Sequence, residues 1–395
     1  MSVIVTLIVE LAALLGHAIF LISCMNWLHS TTYPRKAVDF AIHSLAILLF
    51  LLPAAAAWWC FRETIIPFGP RLLTALPEAM RIYLWFCVTI GVVGIVWWST
   101  SSLRRQIPKQ FLSTHVTPLD LREVGQPTRD DVSRIMRWLV QIPWNEALRP
   151  CFVEREILLS RLPKELDGLV MTHLTDLHFN GRIGWGYLEE MLDLSNRQQP
   201  DFVMLTGDLL DRMPMAERLV ETLTRLEAKV GRYFILGNHD RLIDHTRLRR
   251  LLSEAGLTDL GGSCKSVLVQ GHQILIAGNE IPWFPPAGDF DACDQAHETR
   301  PLRVALSHSP DQIHWAVAKD VDLMLAGHLH GGQICLPWIG PVRSPSRYRF
   351  KYMEGVHYHA PTVLSMSRGI AAQLPLRWNC PPELVKLVLR SGDSW

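Results

Sequence analysis

"LMLAGHLHGG", Leu323 to Gly332, begins as four apolar residues and ends as a glycine-rich turn carrying two histidines one residue apart. A short apolar run that stops at glycine reads as a buried strand handing its next residues to a loop. His328 and His330 therefore stand where such a strand releases the chain. The same pattern recurs upstream. "VMTHLTDLH" delivers Asp176 and His178, "FVMLTGDLLD" delivers Asp208 and Asp211, "YFILGNHD" delivers Asn238, His239 and Asp240, and "RVALSHSP" delivers His308. Amphipathic helical patterns separate several of these runs, at Trp185 to Gln198, Ala216 to Ala228 and His245 to Ala255. Strands alternating with helices from 151 to 395 predict one α/β domain with buried sheets. In such architectures ligands gather beyond the carboxyl ends of the strands, so five strand ends can converge on one site.

The residues at those ends set the chemistry. Carboxylate oxygens and imidazole nitrogens without thiolate suit manganese, iron or zinc rather than an iron-sulfur cluster. Asp176 and His178, two apart, lie on the same side of an extended chain and can face one ion. The N and O donors are too many for one cation, and a bridging carboxylate would hold two about 3.5 to 4 Å apart. Glycines next to Asn238, His328 and His330 let the backbone approach a shared centre.

The set DxH, GDxxD, GNHD, H and GHxH, filled here by Asp176 and His178, Asp208 and Asp211, Asn238 to Asp240, His308, and His328 and His330, resembles the calcineurin-like metallophosphoesterases over roughly 165 to 390. The resemblance implies a four-layer αββα sandwich. It also implies that Asp176, His178 and His330 bind one divalent metal ion, that Asn238, His308 and His328 bind a second, and that Asp208 bridges them. Manganese is the leading candidate for both ions, with iron or zinc as alternatives. His239 would be the catalytic residue that contacts the phosphoryl oxygens or assists the leaving group. Asp211 and Asp240 would orient these residues from behind or shape the turns. The reaction implied is attack on phosphorus by a hydroxide bridging the two metals. Leu329 stands where threonine is common, with its side chain expected to point away from the metals. "GHLHGGQICLP", "SRGI" (Ser367 to Ile370) and "PLRWNCPPELVKLVL" make the likeness closer to membrane-anchored bacterial members of the YkuE and YaeI type, and to the UDP-2,3-diacylglucosamine pyrophosphatase of lipid A synthesis.

The first hundred residues have a different texture. Apolar stretches at 3–23, 41–60 and 82–100 are each long enough to cross a bilayer, which predicts a three-helix transmembrane region over 1–103. The first has no basic leader and no small-x-small cleavage site, so it is expected to be retained. Arg35, Lys36, Arg104, Arg105 and Lys109 would share one side of the membrane, against Arg62, Arg71 and Arg81 on the other. That bias points to a multi-pass protein of the inner (cell) membrane with its catalytic domain in the cytoplasm. Glu10 and His17 fall on one side of the first helix, where a helix-to-helix hydrogen bond is favoured over a functional polar site. Residues 104–150 read as a linker containing one short amphipathic helix, within "RDDVSRIMRWLVQI", suited to lie on the membrane or on the next domain.

Composition narrows the partners. A net charge of +1 over 395 residues gives no support for a polyanion-binding surface, so nucleic acid is not expected. Eight cysteines without CxxC or regular spacing argue against a disulfide framework or a structural zinc knot, and lean toward a reducing compartment. Two apolar loops, "IPWFPP" (Ile281 to Pro286) and "CLPWIGPVRSPSRYRFKY" (Cys335 to Tyr352), either pack on the domain or dock acyl chains. In the second, Trp338, Arg343 and Arg347 are the candidate substrate-binding residues. The expected partners are an amphiphilic phosphate-containing substrate and the lipid bilayer, with oligomeric state open. Three functions follow: hydrolysis of an amphiphilic phosphodiester or pyrophosphate, led by UDP-2,3-diacylglucosamine; the same chemistry on other phosphoesters such as phospholipids; or a non-enzymatic membrane protein with a structural metal site.

Overall fold

The computed structural model describes residues 3–29, 31, 33, 35–62, 76–101, 107–126, 134–294, 300–337 and 340–392. Two compact units divide the chain at residues 106 and 107. The first holds helices α1 (Val3–His29), α2 (Arg35–Arg62) and α3 (Glu78–Ser101), each long and apolar enough to cross a membrane. They outrun the expected spans because their polar flanks continue the helices. Gly16 and Gly91 let α1 and α3 close together: a Cβ on Gly16 would stand 1.8 Å from the Cys87 carbonyl oxygen, and one on Gly91 2.1 Å from that of Ala12. His17 Nε2 donates to the Leu49 carbonyl at 3.2 Å, which leaves Nδ1 to accept from the Tyr83 hydroxyl at 2.6 Å. His17 is thus satisfied between helices, as favoured from sequence, and Glu10 is buried beside the same bundle.

The second unit is built on two sheets. The larger runs β1 (Phe111–Pro118), β2 (Cys151–Leu159), β15 (Glu383–Ser391), β3 (Leu169–Leu174), β4 (Phe202–Thr206), β5 (Gly231–Ile235) and β6 (Thr258–Asp259). The smaller runs β13 (Gly355–His359), β14 (Thr362–Met366), β10 (Leu323–Ala326), β9 (Leu302–Ser307), β8 (His272–Asn279) and β7 (Cys264–Val269), with a separate hairpin of β11 (Cys335–Leu336) and β12 (Gly340–Pro341). β3, β4 and β5 are parallel neighbours, as are β8, β9, β10 and β14. Their near-continuous apolar sequence has a simple cause, since each strand is covered on both faces. Phe202 and Met204 turn toward Ile276, Val304 and Leu325 of the other sheet. Val203 and Leu205 turn outward to Met191, Leu219 and Leu248 on helices α5 (Trp185–Arg197), α6 (Ala216–Leu223) and α7 (His245–Glu254). The outer face of the smaller sheet is covered by α8 (Ile313–Ala318) with Tyr352 and Met353. This is the expected α/β sandwich.

Three expectations change. The segment 104–150 is not a linker beyond residue 106, because β1 pairs antiparallel with β2 along its length and Val140 and Leu148 are buried in the domain core. β1 was unreadable because an edge strand facing solvent carries little apolar pattern, and "FLSTHVTP" is mostly exposed. The short amphipathic helix is α4 (Arg134–Gln141), and the first residues of the stretch that predicted it lie outside the described residues. Helix α6 ends at Leu223, five residues before the expected stop. There the Asn196 side chain bonds the Arg225 carbonyl and the Glu227 N–H and turns the chain. Finally, Cys264 and Cys293 form a disulfide, which runs against the lean toward a reducing compartment although a single pair is no disulfide framework.

Candidate metal centre

Five strands of the two sheets end at one place. The loops leaving β3 and β4 continue to pair, with Asp176 N–H on the Gly207 carbonyl (3.0 Å) and His178 N–H on the Asp208 carbonyl (2.9 Å). Asp176, His178, Asp208, His328 and His330 all have positive φ, between 43° and 73°. Non-glycine residues in that region cost about 1–3 kcal/mol each and persist where the surroundings over-determine them. Gly237 and Gly327 supply room rather than flexibility. A Cβ on Gly237 would stand 2.3 Å from Asp208 Oδ1 and 2.8 Å from His308 Nε2, and one on Gly327 2.4 Å from Asp176 Oδ2.

The side chains gather in overlapping groups, each with its donor atoms within 4.8 Å of one another: Asp176, His178 and His330; His178, Asp208 and His239; and Asp208, His308 and His328. Asn238 joins the third through Oδ1, 3.2 Å from His308 Nε2. Asp208 lies between groups, its Oδ2 3.5 Å from His178 Nε2 and 3.2 Å from His308 Nε2. Asp176 Oδ1 is buried with no hydrogen-bond partner, while its Oδ2 accepts from Thr175 Oγ1 and the His328 N–H. Such an orphaned carboxylate oxygen is expensive unless a cation meets it.

Hydrogen bonds fix the imidazole tautomers. His308 Nδ1 donates to the Thr206 carbonyl at 2.7 Å, and His178 Nδ1 donates to Asp211 Oδ1 at 3.0 Å, so both Nε2 lone pairs point inward. His178 Nε2 then stands 3.1 Å from His330 Nε2, and His308 Nε2 stands 3.1 Å from His328 Nδ1. Ring nitrogens this close must have a proton or a cation between them. The carboxylates ask for positive charge as well: burial would lower His308, yet Asp208 and Asp176 push it up to about 9. Burial would raise the Asp208 carboxyl, but His308 and His239 hold it well below the usual carboxylate range. The donor set fits divalent cations of the borderline kind.

The supporting residues divide. Asp211 is no mere turn residue, because it bonds His178 Nδ1, His239 Nδ1 (3.0 Å) and Asn180 Nδ2 together. Asp240 instead accepts three backbone N–H groups, from Leu209, Leu210 and Gly237, and so knits the loops after β4 and β5. Burial and the nearby Asp208 charge push its carboxyl up to about 7. Leu329 points into the outer core, away from the cluster, as expected. Sequence reasoning missed three neighbours. Glu280 is buried at the end of β8 and bonds the Leu236 N–H and Arg249. Trp283 lays its ring against His308 and His328, with centroids 5.3 and 5.1 Å away. Arg377, 1% exposed, donates to the carbonyls of His330, Arg368 and Ala371. Trp283 and Arg377 lie in stretches the sequence marks as unusual, whereas nothing marks Glu280.

Arg343 and Arg347 are exposed on the loop after β12, where the Arg347 N–H bonds the Asp311 carboxylate, while Asp176, His178, Asp208, His308 and His328 are buried. Trp338 lies outside the described residues.

Comparison with known proteins agrees with this geometry. Residues 169–332 match the calcineurin-like phosphoesterase family. The chain is 29% identical over 247 residues to the uncharacterized metallophosphoesterase YkuE of Bacillus subtilis, covering 61% of this chain and 85% of that one. It is 28% identical over 221 residues to the phosphodiesterase YaeI of Escherichia coli, covering 55% and 80%. It is 31% identical over 214 residues to the uncharacterized metallophosphoesterase YkoQ of Bacillus subtilis, covering 51% and 76%.

Proposed function

This chain belongs to the calcineurin-like phosphoesterases, metal-dependent hydrolases of phosphate ester or anhydride bonds, and from that premise we propose that it is a membrane-anchored phosphodiesterase using two divalent cations. The observation that carries the proposal is Asp208, which lies in two donor groups at once. Asp176, His178 and His330 would hold one ion, Asn238, His308 and His328 the other, and Asp208 both. Two such ions lower the pKa of a shared water and offset charge on the phosphoryl oxygens. The chain's residues position the rest. Asp211 fixes Nδ1–H of His239 and leaves its Nε2 edge free to meet a phosphoryl oxygen or the leaving group. By resemblance manganese is the leading candidate, with iron or zinc as alternatives, since an imidazole and carboxylate donor set accepts all three.

The three apolar helices anchor this chemistry to a membrane, which favours an amphiphilic substrate. By sequence resemblance the leading candidate is UDP-2,3-diacylglucosamine, which requires a cytoplasmic catalytic unit at the inner membrane, as the flanking charges suggest. One observation favours the second reading, a phospholipid or other phosphoester on the opposite side: the Cys264–Cys293 disulfide belongs in an oxidising compartment. A purely structural metal site loses its ground with the family assignment.

The deciding experiment incubates purified full-length protein, with manganese and with magnesium, separately with the UDP-lipid, a phospholipid and bis-p-nitrophenyl phosphate. Release of UMP with the acylated sugar phosphate supports the first substrate. Phospholipid hydrolysis without UMP release supports the second. Turnover of none of the three would refute the proposal.

A further inference from the structure

The catalytic unit carries large apolar side chains that are exposed among its described residues. On α4, Ile135 is 66% exposed and Trp138 63%, and beyond the helix Trp144 is 53% exposed. Ile135 and Trp138, three residues apart, share one helix face. Val140, buried, pins the helix to the core. The Trp144 ring lies 5.7 Å from that of Trp378, and Leu374, four residues before Trp378 in the chain, is 38% exposed. Arg134, at the start of α4, is exposed as well.

These residues are physically continuous with the metal centre. Asn145 Nδ2 donates to the Pro375 carbonyl, and Gln333 Nε2 donates to that of Leu374, both at 2.8 Å. Arg377, next to Trp378, donates to the His330 carbonyl at 2.8 Å. The loop at 374–378 is thus held by the α4 segment on one side and by the turn after His330 on the other.

We propose that α4, Trp144, Trp378 and Leu374 form a bilayer-contact surface, which seats the rim of the metal centre at the lipid headgroup layer. Soluble monomers rarely leave large contiguous apolar surface exposed. The same chain supplies the occupant, since its three membrane-spanning helices keep the catalytic unit next to a bilayer. Tryptophan beside arginine suits the boundary between acyl chains and headgroups, where the ring is half immersed and the guanidinium meets lipid phosphate. A phosphoester presented by a lipid would then reach the centre without leaving the membrane. The inference rests on the membrane anchoring proposed above and not on any particular substrate.

The test uses the full chain in vesicles of phosphatidylcholine and phosphatidylglycerol, with the photo-crosslinking variants Trp138→p-benzoylphenylalanine and Leu268→p-benzoylphenylalanine. Leu268 is 64% exposed on β7, an edge strand of the other sheet. Irradiation is expected to give lipid adducts at position 138 and none at 268, read by mass spectrometry. A protein adduct at 138, no adduct, or equal lipid labelling at both positions would overturn the inference. In parallel, Ile135→Ser combined with Trp138→Ser is expected to slow hydrolysis of a vesicle-borne phosphodiester about tenfold while leaving bis-p-nitrophenyl phosphate turnover within about twofold. Equal effects on both substrates would count against the surface. Loss of all hydrolysis in the unmodified chain would defeat the proposed activity yet leave the crosslinking result to stand.

Discussion

The backbone N–H of His328 donates to Oδ2 of Asp176 at 3.0 Å, so the loop leaving the smaller sheet is latched to a carboxylate leaving the larger one. The two donor groups are therefore not independent. Each is assembled partly by holding the other in place, and disturbing one strand end is expected to disturb both.

Asp211 tests this coupling from behind the site. It orients His178 and His239 through their Nδ1 atoms. Asp211→Asn should lower metal affinity or kcat/KM about 10- to 100-fold, the usual effect of losing a residue that orients a ligand. Steady-state kinetics across a manganese titration would measure it. Unchanged kinetics would assign Asp211 to turn formation alone.

Gly237 lacks a side chain because there is no space for one. Gly237→Ala places a methyl group 2.3 Å from Asp208 Oδ1, and overpacking of this kind costs about 1–3 kcal/mol. The variant should lose stability by that order and most of its activity, since the displaced atom is the shared carboxylate. Thermal unfolding together with metal analysis would show both effects.

His173 predicts an acid-labile fold. Burial, reinforced by the Arg155 guanidinium, lowers its pKa to about 3, and its Nε2 is bonded to Thr206 Oγ1. In the unfolded chain it would titrate near 6.5. Between those values the unfolded state binds the extra proton, so this contribution is intact above pH 6.5 and is lost as pH falls toward 3. The loss by pH 5 is about 2 kcal/mol. Denaturant unfolding of the wild type and of His173→Gln at pH 8 and pH 5 should show a smaller pH difference in the variant.

The disulfide gives the topology a direct readout. Cys264 and Cys293, 29 residues apart in sequence, should resist alkylation until reduced, and Cys264→Ser should cost about 2–4 kcal/mol. Free thiols at both positions in protein isolated with an alkylating agent would place the catalytic unit in the reducing compartment and restore the case for a UDP-linked substrate.

Much of the centre was legible because strands buried on both faces read as apolar runs, and each donor follows such a run directly. Asp176, Asp208, Asn238, His308 and His330 needed only that grammar. Residues that act across the fold were not legible: Glu280 contacts the Leu236 N–H only because β8 and β5 are brought together by the two sheets. β1 escaped for the opposite reason, an edge strand exposed on both faces over most of its length and so without an apolar signature.

The central claim is a pair of cations sharing Asp208, and metal stoichiometry measured alongside turnover tests it most directly. Purified full-length protein, stripped with chelator and titrated with manganese, should bind two equivalents per chain, with bis-p-nitrophenyl phosphate hydrolysis appearing as the second is filled. Asp208→Ala should bind fewer than two and be inactive. Full activity at one equivalent, or undiminished turnover in Asp208→Ala, would contradict the account.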